Sequence, residues 1–201
     1  MDGGVDMAKG FRRILVVLWI TVATALVLAL GVLLLRYGYK RYYSAVYPLR
    51  FTDEVTAASE EFDVDPSLIY AVIHTESSFQ PQVTSSAGAK GLMQLTDSTL
   101  EWALNRAGEK GKYTAEDLYD PQVNIHYGVY VITLLGEQFE NTETILAAYN
   151  AGIGRVGEWL KDTAYSADGI HLDAIPYPET AEYIKRVQNA RKQYQELYNI
   201  P

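Results

Sequence analysis

Hydrophobic residues follow two regimes along this chain. From position 14 to 35 they run without a break, 22 residues of Ile, Leu, Val, Trp, Ala, Thr and Gly with no charge. About 20 such residues wound as an α-helix cross the hydrocarbon core of a bilayer. A soluble core helix normally keeps a polar face, and this stretch has none. A cleaved signal peptide has a shorter apolar region, roughly 7–15 residues, that ends at a small-x-small site. Here the run passes straight into Arg36, Tyr37, Lys40, Arg41, Tyr42 and Tyr43, a basic and aromatic collar suited to a membrane interface. The pattern predicts an uncleaved anchor.

Beyond residue 50 the apolar positions recur at helical spacing. Thr52–Phe62 reads as a short helix. Asp65-Pro66 supplies an N-cap followed by proline at the first helical position, and Leu68, Ile69, Val72, Ile73 and Glu76 then share one face. Residues 122–139 place Tyr127, Tyr130, Val131, Leu134 and Leu135 together. Thr142–Ala151 is a shorter helix that Gly152 can end in the left-handed conformation. Residues 179–198 carry Tyr183, Ile184, Val187, Ala190, Tyr194 and Leu197 on one stripe. Alternation of period two is weak throughout, and 85–94 and 162–178 read as the main loops. The expected division is a tail at 1–13, a transmembrane anchor at 14–35, a juxtamembrane linker at 36–50 closed by Pro48, and a mainly α domain at 51–201. An extended linker of that size would reach at most ~50 Å from a bilayer.

Charge sharpens this picture. The 201 residues carry a net charge of −8, unevenly placed. Residues 1–41 hold six Lys/Arg against two Asp/Glu, which leaves 11 against 23 for the remainder. So acidic a domain is a poor binder of nucleic acid. Lys9, Arg12 and Arg13 precede the span and Arg36, Lys40 and Arg41 follow it, so the positive-inside rule barely orients it. There is no cysteine to carry a lipid or form a disulfide.

Glu76 is the first residue that looks wrong for a purely structural part. It falls on the apolar stripe of its helix, where burial would raise its pKa and keep a proton available near neutral pH. The competing reading, a glutamate that ends the helix and turns to solvent, has equal weight from position alone. Three further segments bear on the choice: Ser77-Ser78-Phe79 with Pro81, Ser85 and Gly88-Ala89-Lys90-Gly91-Leu92-Met93-Gln94-Leu95; then Ala147-Ala148-Tyr149-Asn150-Ala151-Gly152; then Pro176-Tyr177-Pro178-Glu179-Thr180 with Tyr183 and Arg186-Val187.

In this order and spacing the segments closely resemble the soluble lytic transglycosylase family, across about residues 52–198. The resemblance implies a goose-type lysozyme-like helical domain behind a single N-terminal transmembrane helix. It also implies cleavage of the β-1,4 bond between N-acetylmuramic acid and N-acetylglucosamine in peptidoglycan, with 1,6-anhydromuramyl ends. The family's catalytic glutamate falls on Glu76. Its substrate-binding serine falls on Ser85 and its glutamine on Gln94, and its Tyr-Asn pair falls on Tyr149 and Asn150. The late glutamate falls on Glu179. The sequence departs where relatives carry Met-Pro after the Met-Gln-Leu run: Thr96-Asp97 stands here, which alters sugar packing more than the reaction.

Only one carboxyl is placed at the reaction, whereas ordinary glycosidases use two. The 2-acetamido oxygen of the substrate can supply the second group, with Glu76 acting as acid and then base. No metal or cofactor is implied: His74, His126 and His171 are scattered, and there is no His-Glu-x-x-His. Most of the 16 tyrosines read as packing. Tyr149 is placed at the cleft, with Tyr177 and Tyr183 as further candidates. Two other readings stay open. Asp97 could hold a water and make the protein a lysozyme-like hydrolase, although an N-cap for a helix from Ser98 is the plainer role. A non-catalytic wall-binding scaffold is the other. The expected partners are peptidoglycan strands and the lipid bilayer, and the expected place is the bacterial cell membrane, single-pass, with the domain on the extracytoplasmic side.

Overall fold

The computed structural model describes residues 3–200. The chain divides into two units, 1–46 and 47–201. The first is a single helix, α1, Gly3–Val46. Side chains from residue 15 to 42 stand exposed, and the segment Gly10–Val46 is long and apolar enough to cross a membrane. The helix does not stop where the apolar run does. Residues 36–46, expected as linker, continue it, so they extend only about 16 Å at 1.5 Å per residue, well short of an extended tether.

The second unit packs eight further elements around one core. They are α2 Thr52–Phe62, α3 Pro66–Ser77, α4 Asp97–Arg106, a 3-10 helix Ala115–Tyr119, α5 Pro121–Gly136, α6 Thr142–Ala151, α7 Ile153–Lys161 and α8 Pro178–Tyr198. Among the described residues the only strand-like pairings are two isolated antiparallel bridges, Thr84 with Lys90 and Lys90 with Leu95. The fold class is therefore mainly α, as expected.

Caps set the helix limits. The Asp65 carboxylate accepts the Ser67 N–H (2.7 Å) at the start of α3 and also takes the Arg191 guanidinium from α8. One residue thus caps α3 and ties it to α8, its principal packing partner. Asp120 caps α5 and Asn141 caps α6 in the same way. At α4 the cap is Thr96, whose hydroxyl accepts the Thr99 N–H. Asp97, expected as the N-cap, is instead the first helical residue.

Two other features differ from expectation. Gly152 has a positive φ of 99° but an extended ψ of 138°, so the chain turns directly into α7, which the spacing did not reveal. α5 is buried almost all round, from Val123 to Leu135, with a fully buried Asn124. Its environment is therefore that of a central core helix rather than an amphipathic one.

Candidate active site

A cleft of about 260 Å³ opens between α3, the 85–96 loop, α4, α5 and α6. Glu76, Ser85, Gln94, Thr96, Thr99, Val131, Tyr149 and Asn150 are among its lining residues. Among the described residues that line it, Glu76 is the only carboxyl. Five of the six residues singled out from sequence thus meet at one cavity. Glu179, the sixth, stands exposed on the first turn of α8, outside that lining.

Glu76 reaches this place because Ile69, Val72 and Ile73 are wholly buried, and their stripe rotates position 76 inward. Burial raises its pKa from an ordinary 4.5 to about 7, against smaller opposing pulls from Tyr183 and Arg186 of α8. The Tyr183 hydroxyl is buried and completes no hydrogen bond of regular geometry, and its pull on Glu76 is the larger of the two opposing ones. Its own pKa and that of Tyr149 are pushed well up, first by burial and then by the Glu76 charge. After Ser77 the chain leaves α3 through two successive left-handed residues, Ser78 and Phe79 (φ 50° and 61°). Such strain needs support, and here the ring of Phe79 is sealed in the core.

The opposite wall is the Gly-Leu-Met-Gln segment, sewn down from three sides. Asn124 of α5 accepts the Met93 N–H (2.7 Å) and donates to the carbonyls of Lys90 (2.9 Å) and Leu118 (2.8 Å). The Ser77 hydroxyl donates to the Leu92 carbonyl (2.8 Å), and the Tyr149 hydroxyl to the Met93 carbonyl (2.7 Å). The close approach needs Gly91, with φ 75°, where a Cβ would lie 2.1 Å from the Leu118 carbonyl oxygen. Gln94 spends its amide N–H groups on the Val83 and Gly91 carbonyls (3.2 and 2.8 Å), which leaves its carbonyl oxygen for other partners. The Ser85 hydroxyl accepts the Ala89 N–H (3.0 Å) within a tight turn. Asn150 accepts from Thr180 (2.9 Å), which links the cleft to the start of α8.

Asp97 does not line this cleft. It pairs with Lys90, and its side chain is 60% exposed. The histidines lie apart: His74 packs its ring against Tyr47 (centroids 4.7 Å), His126 sits 3.4 Å from Glu61, and His171 bonds Asp168 (2.6 Å). Two positions that shape the site carried little signal in the sequence. Asn124 lies in no recognisable motif, and a buried asparagine inside an apolar run is its one trace. Ser77 belongs to the Glu-Ser pair but had no assigned task.

The chain has relatives among known proteins. Residues 53–171 match the Transglycosylase SLT domain, and the chain belongs to that family. It is 33% identical over 143 residues to the soluble lytic murein transglycosylase of Escherichia coli strain K12, covering 70% of this chain and 22% of that protein. It is 30% identical over 169 residues to membrane-bound lytic murein transglycosylase C of Edwardsiella ictaluri, covering 74% and 47%. In three dimensions it superposes on the lytic transglycosylase Slt of Pseudomonas aeruginosa with a TM-score of 0.66 at 30% identity, covering 77% of this chain and 25% of that one. That structure is of an inactive mutant in which glutamine replaces a glutamate. The chain spans less than half the length of each of these relatives.

Proposed function

We propose that this protein is a membrane-anchored lytic transglycosylase that cleaves the MurNAc-β-1,4-GlcNAc bond of peptidoglycan and leaves 1,6-anhydromuramyl ends. The observation that carries the reading is a single carboxyl, Glu76, held in a cleft with its pKa raised to about 7. Half protonated near neutral pH, it suits both giving and taking a proton. The relatives are lytic transglycosylases by name, and one of them is inactivated by a glutamate-to-glutamine change.

With one carboxyl the substrate supplies the nucleophile. The 2-acetamido oxygen attacks the anomeric carbon of muramic acid while Glu76 protonates the departing oxygen of N-acetylglucosamine. Glu76, now ionised, removes the proton from the C6 hydroxyl, and O6 closes the anhydro ring and releases the acetamido group. Tyr149 donates its proton to the Met93 carbonyl, which leaves its oxygen only the role of acceptor toward a substrate. It can take the acetamido N–H and turn the acetamido oxygen toward the sugar. Tyr183 supplies a donor to Glu76 in its ionised state. Ser85, the Gln94 carbonyl oxygen and Asn150 hold sugar, and Glu179 contacts strand outside the cleft.

The hydrolytic alternative needs a second acid to hold water, and Asp97 is turned to solvent and neutralised by Lys90. Anchoring uses residues 14–35, with the N-terminus cytoplasmic. Protease treatment of intact cells is expected to degrade the domain, and its protection would reverse the orientation. Digestion of purified peptidoglycan by the full chain in detergent, followed by mass spectrometry, tests the reaction. Anhydromuramyl ends support it and reducing ends contradict it.

A further inference from the structure

We infer that Arg155 and Tyr177 form a second subsite, next to the Asn150 end of the cleft, that takes a carboxylate of the peptide stem carried by the muramyl sugar. This rests on the reaction proposed above and names the part of the substrate recognised beyond the glycan. Three observations converge on it.

The first is position. Asn150 lines the cleft and accepts from Thr180, whose own N–H bonds the Tyr177 carbonyl (3.0 Å). The Arg155 guanidinium donates to the carbonyl of Ala151 (2.7 Å), the residue after Asn150, and lies over the Tyr177 ring at 5.1 Å. The second is accessibility. Tyr177 keeps 38% of its surface exposed, while its ring is braced edge-on by the buried Trp159 at 5.2 Å. In the unit from 47 onward only Leu49, Ile170 and Tyr177 are exposed large hydrophobics among the described residues.

The third is charge. This part of the chain has about twice as many acidic as basic residues. Lys90, Arg106, Lys112, Lys161, Arg191 and Lys192 all pair with carboxylates. Among the described residues Arg155, like Arg50, Lys110, Lys185 and Arg186, has no carboxylate within ion-pair distance, and of these five it is the one beside the Asn150 end of the cleft. One of its five N–H groups is spent on Ala151, and the others remain for a carboxylate, which a guanidinium fork binds well. The lactyl group of muramic acid carries a stem peptide with free carboxylates. A few extended residues span about 10 Å, enough to leave the cleft at Asn150 and meet Arg155.

The test uses the full chain in detergent with two substrates, glycan strands bearing stem peptides and the same strands stripped by an amidase. Arg155→Gln keeps a donor for Ala151 and removes the charge. It is expected to raise KM about tenfold on stem-bearing strands, to leave kcat there unchanged, and to change nothing on stripped strands. Arg155→Lys restores part of the loss, and stems with amidated carboxyls show no dependence on residue 155. Equal loss on both substrates, or no loss on either, overturns the subsite. In parallel, calorimetry on Glu76→Gln, with and without Arg155→Gln, measures binding of a muramyl tripeptide and of a peptide-free muramyl disaccharide. If the wild type releases no product, Arg155-dependent binding of the tripeptide alone upholds the subsite while the proposed reaction falls. Binding indifferent to residue 155 overturns the subsite even where cleavage proceeds.

Discussion

On the wall of the cleft made by the 85–96 loop, Asn124, Ser77 and Tyr149 each complete hydrogen bonds to the backbone they hold. On the wall made by α3, and in the contact with α8 behind it, the reverse holds. The described buried side-chain atoms that lack a hydrogen-bond partner include His74 Nδ1, Thr75 Oγ1, the Tyr183 hydroxyl and Gln193 Oε1, all from those two helices. Each such group costs free energy that a satisfied one does not. Glu76 belongs to this second wall, and its raised pKa has the same origin: a polar group withdrawn from water without full compensation. One wall is a rigid template and the other stores unfavourable polarity for use. The contrast explains why the loop needs Gly91 and a buried asparagine, while the acid needs only an apolar stripe with one position out of pattern.

The largest expected effect tests the template. Asn124→Ala leaves one N–H and two carbonyls unanswered in the core and is expected to destabilise by about 4 kcal/mol, read by urea unfolding. A loss under about 1 kcal/mol would mean that the loop is not held from α5.

Next comes the opposite sign on the opposite wall. Glu76 has an ordinary pKa of 4.5 when unfolded and about 7 when folded. Between those values the unfolded chain binds fewer protons than the folded one, so stability falls as pH rises from about 4.5 to about 7. Above that window the loss amounts to about 3 kcal/mol. Glu76→Gln is therefore expected to stabilise at pH 8 by up to that amount and to do little at pH 4.5, as thermal melts would show. A variant equally stabilised at both pH values would contradict the buried-acid account. The same pKa predicts that kcat/KM declines on the alkaline side of about pH 7.

Tyr149→Phe joins the two walls. It strands the Met93 carbonyl at a cost of about 1 kcal/mol and removes the acceptor for the acetamido group, so kcat is expected to drop at least about tenfold. Stability loss with full activity would reduce Tyr149 to a structural strut. The smallest effect belongs to Asp97→Asn. An exposed ion pair contributes little, so activity is expected to change less than about fivefold, with the same products. A switch of product class would return Asp97 to the mechanism.

Much of this was legible in the sequence because short-range rules wrote it. Asp65-Pro66 marks the start of α3, and Glu76 is the one polar position on its buried stripe. Thr142–Ala151 is bounded by an asparagine cap and a glycine. What escaped is set by contacts distant in sequence. Asn124 meets Met93 across 31 residues, and Arg191 meets Asp65 across 126, so neither leaves a local pattern. α7 went unseen because Gly154 and Gly157 interrupt its helical signal, yet Val156 and Trp159 bury its inner face. The helical path of residues 36–46 was hidden by a composition that reads equally as interface collar or linker.

The most direct test of the central claim is product analysis of full-length protein and its Glu76→Gln variant on purified peptidoglycan. The account predicts anhydromuramyl ends from the wild type and their disappearance in the folded variant. Reducing ends from the wild type, or anhydromuramyl ends undiminished in Glu76→Gln, would contradict it.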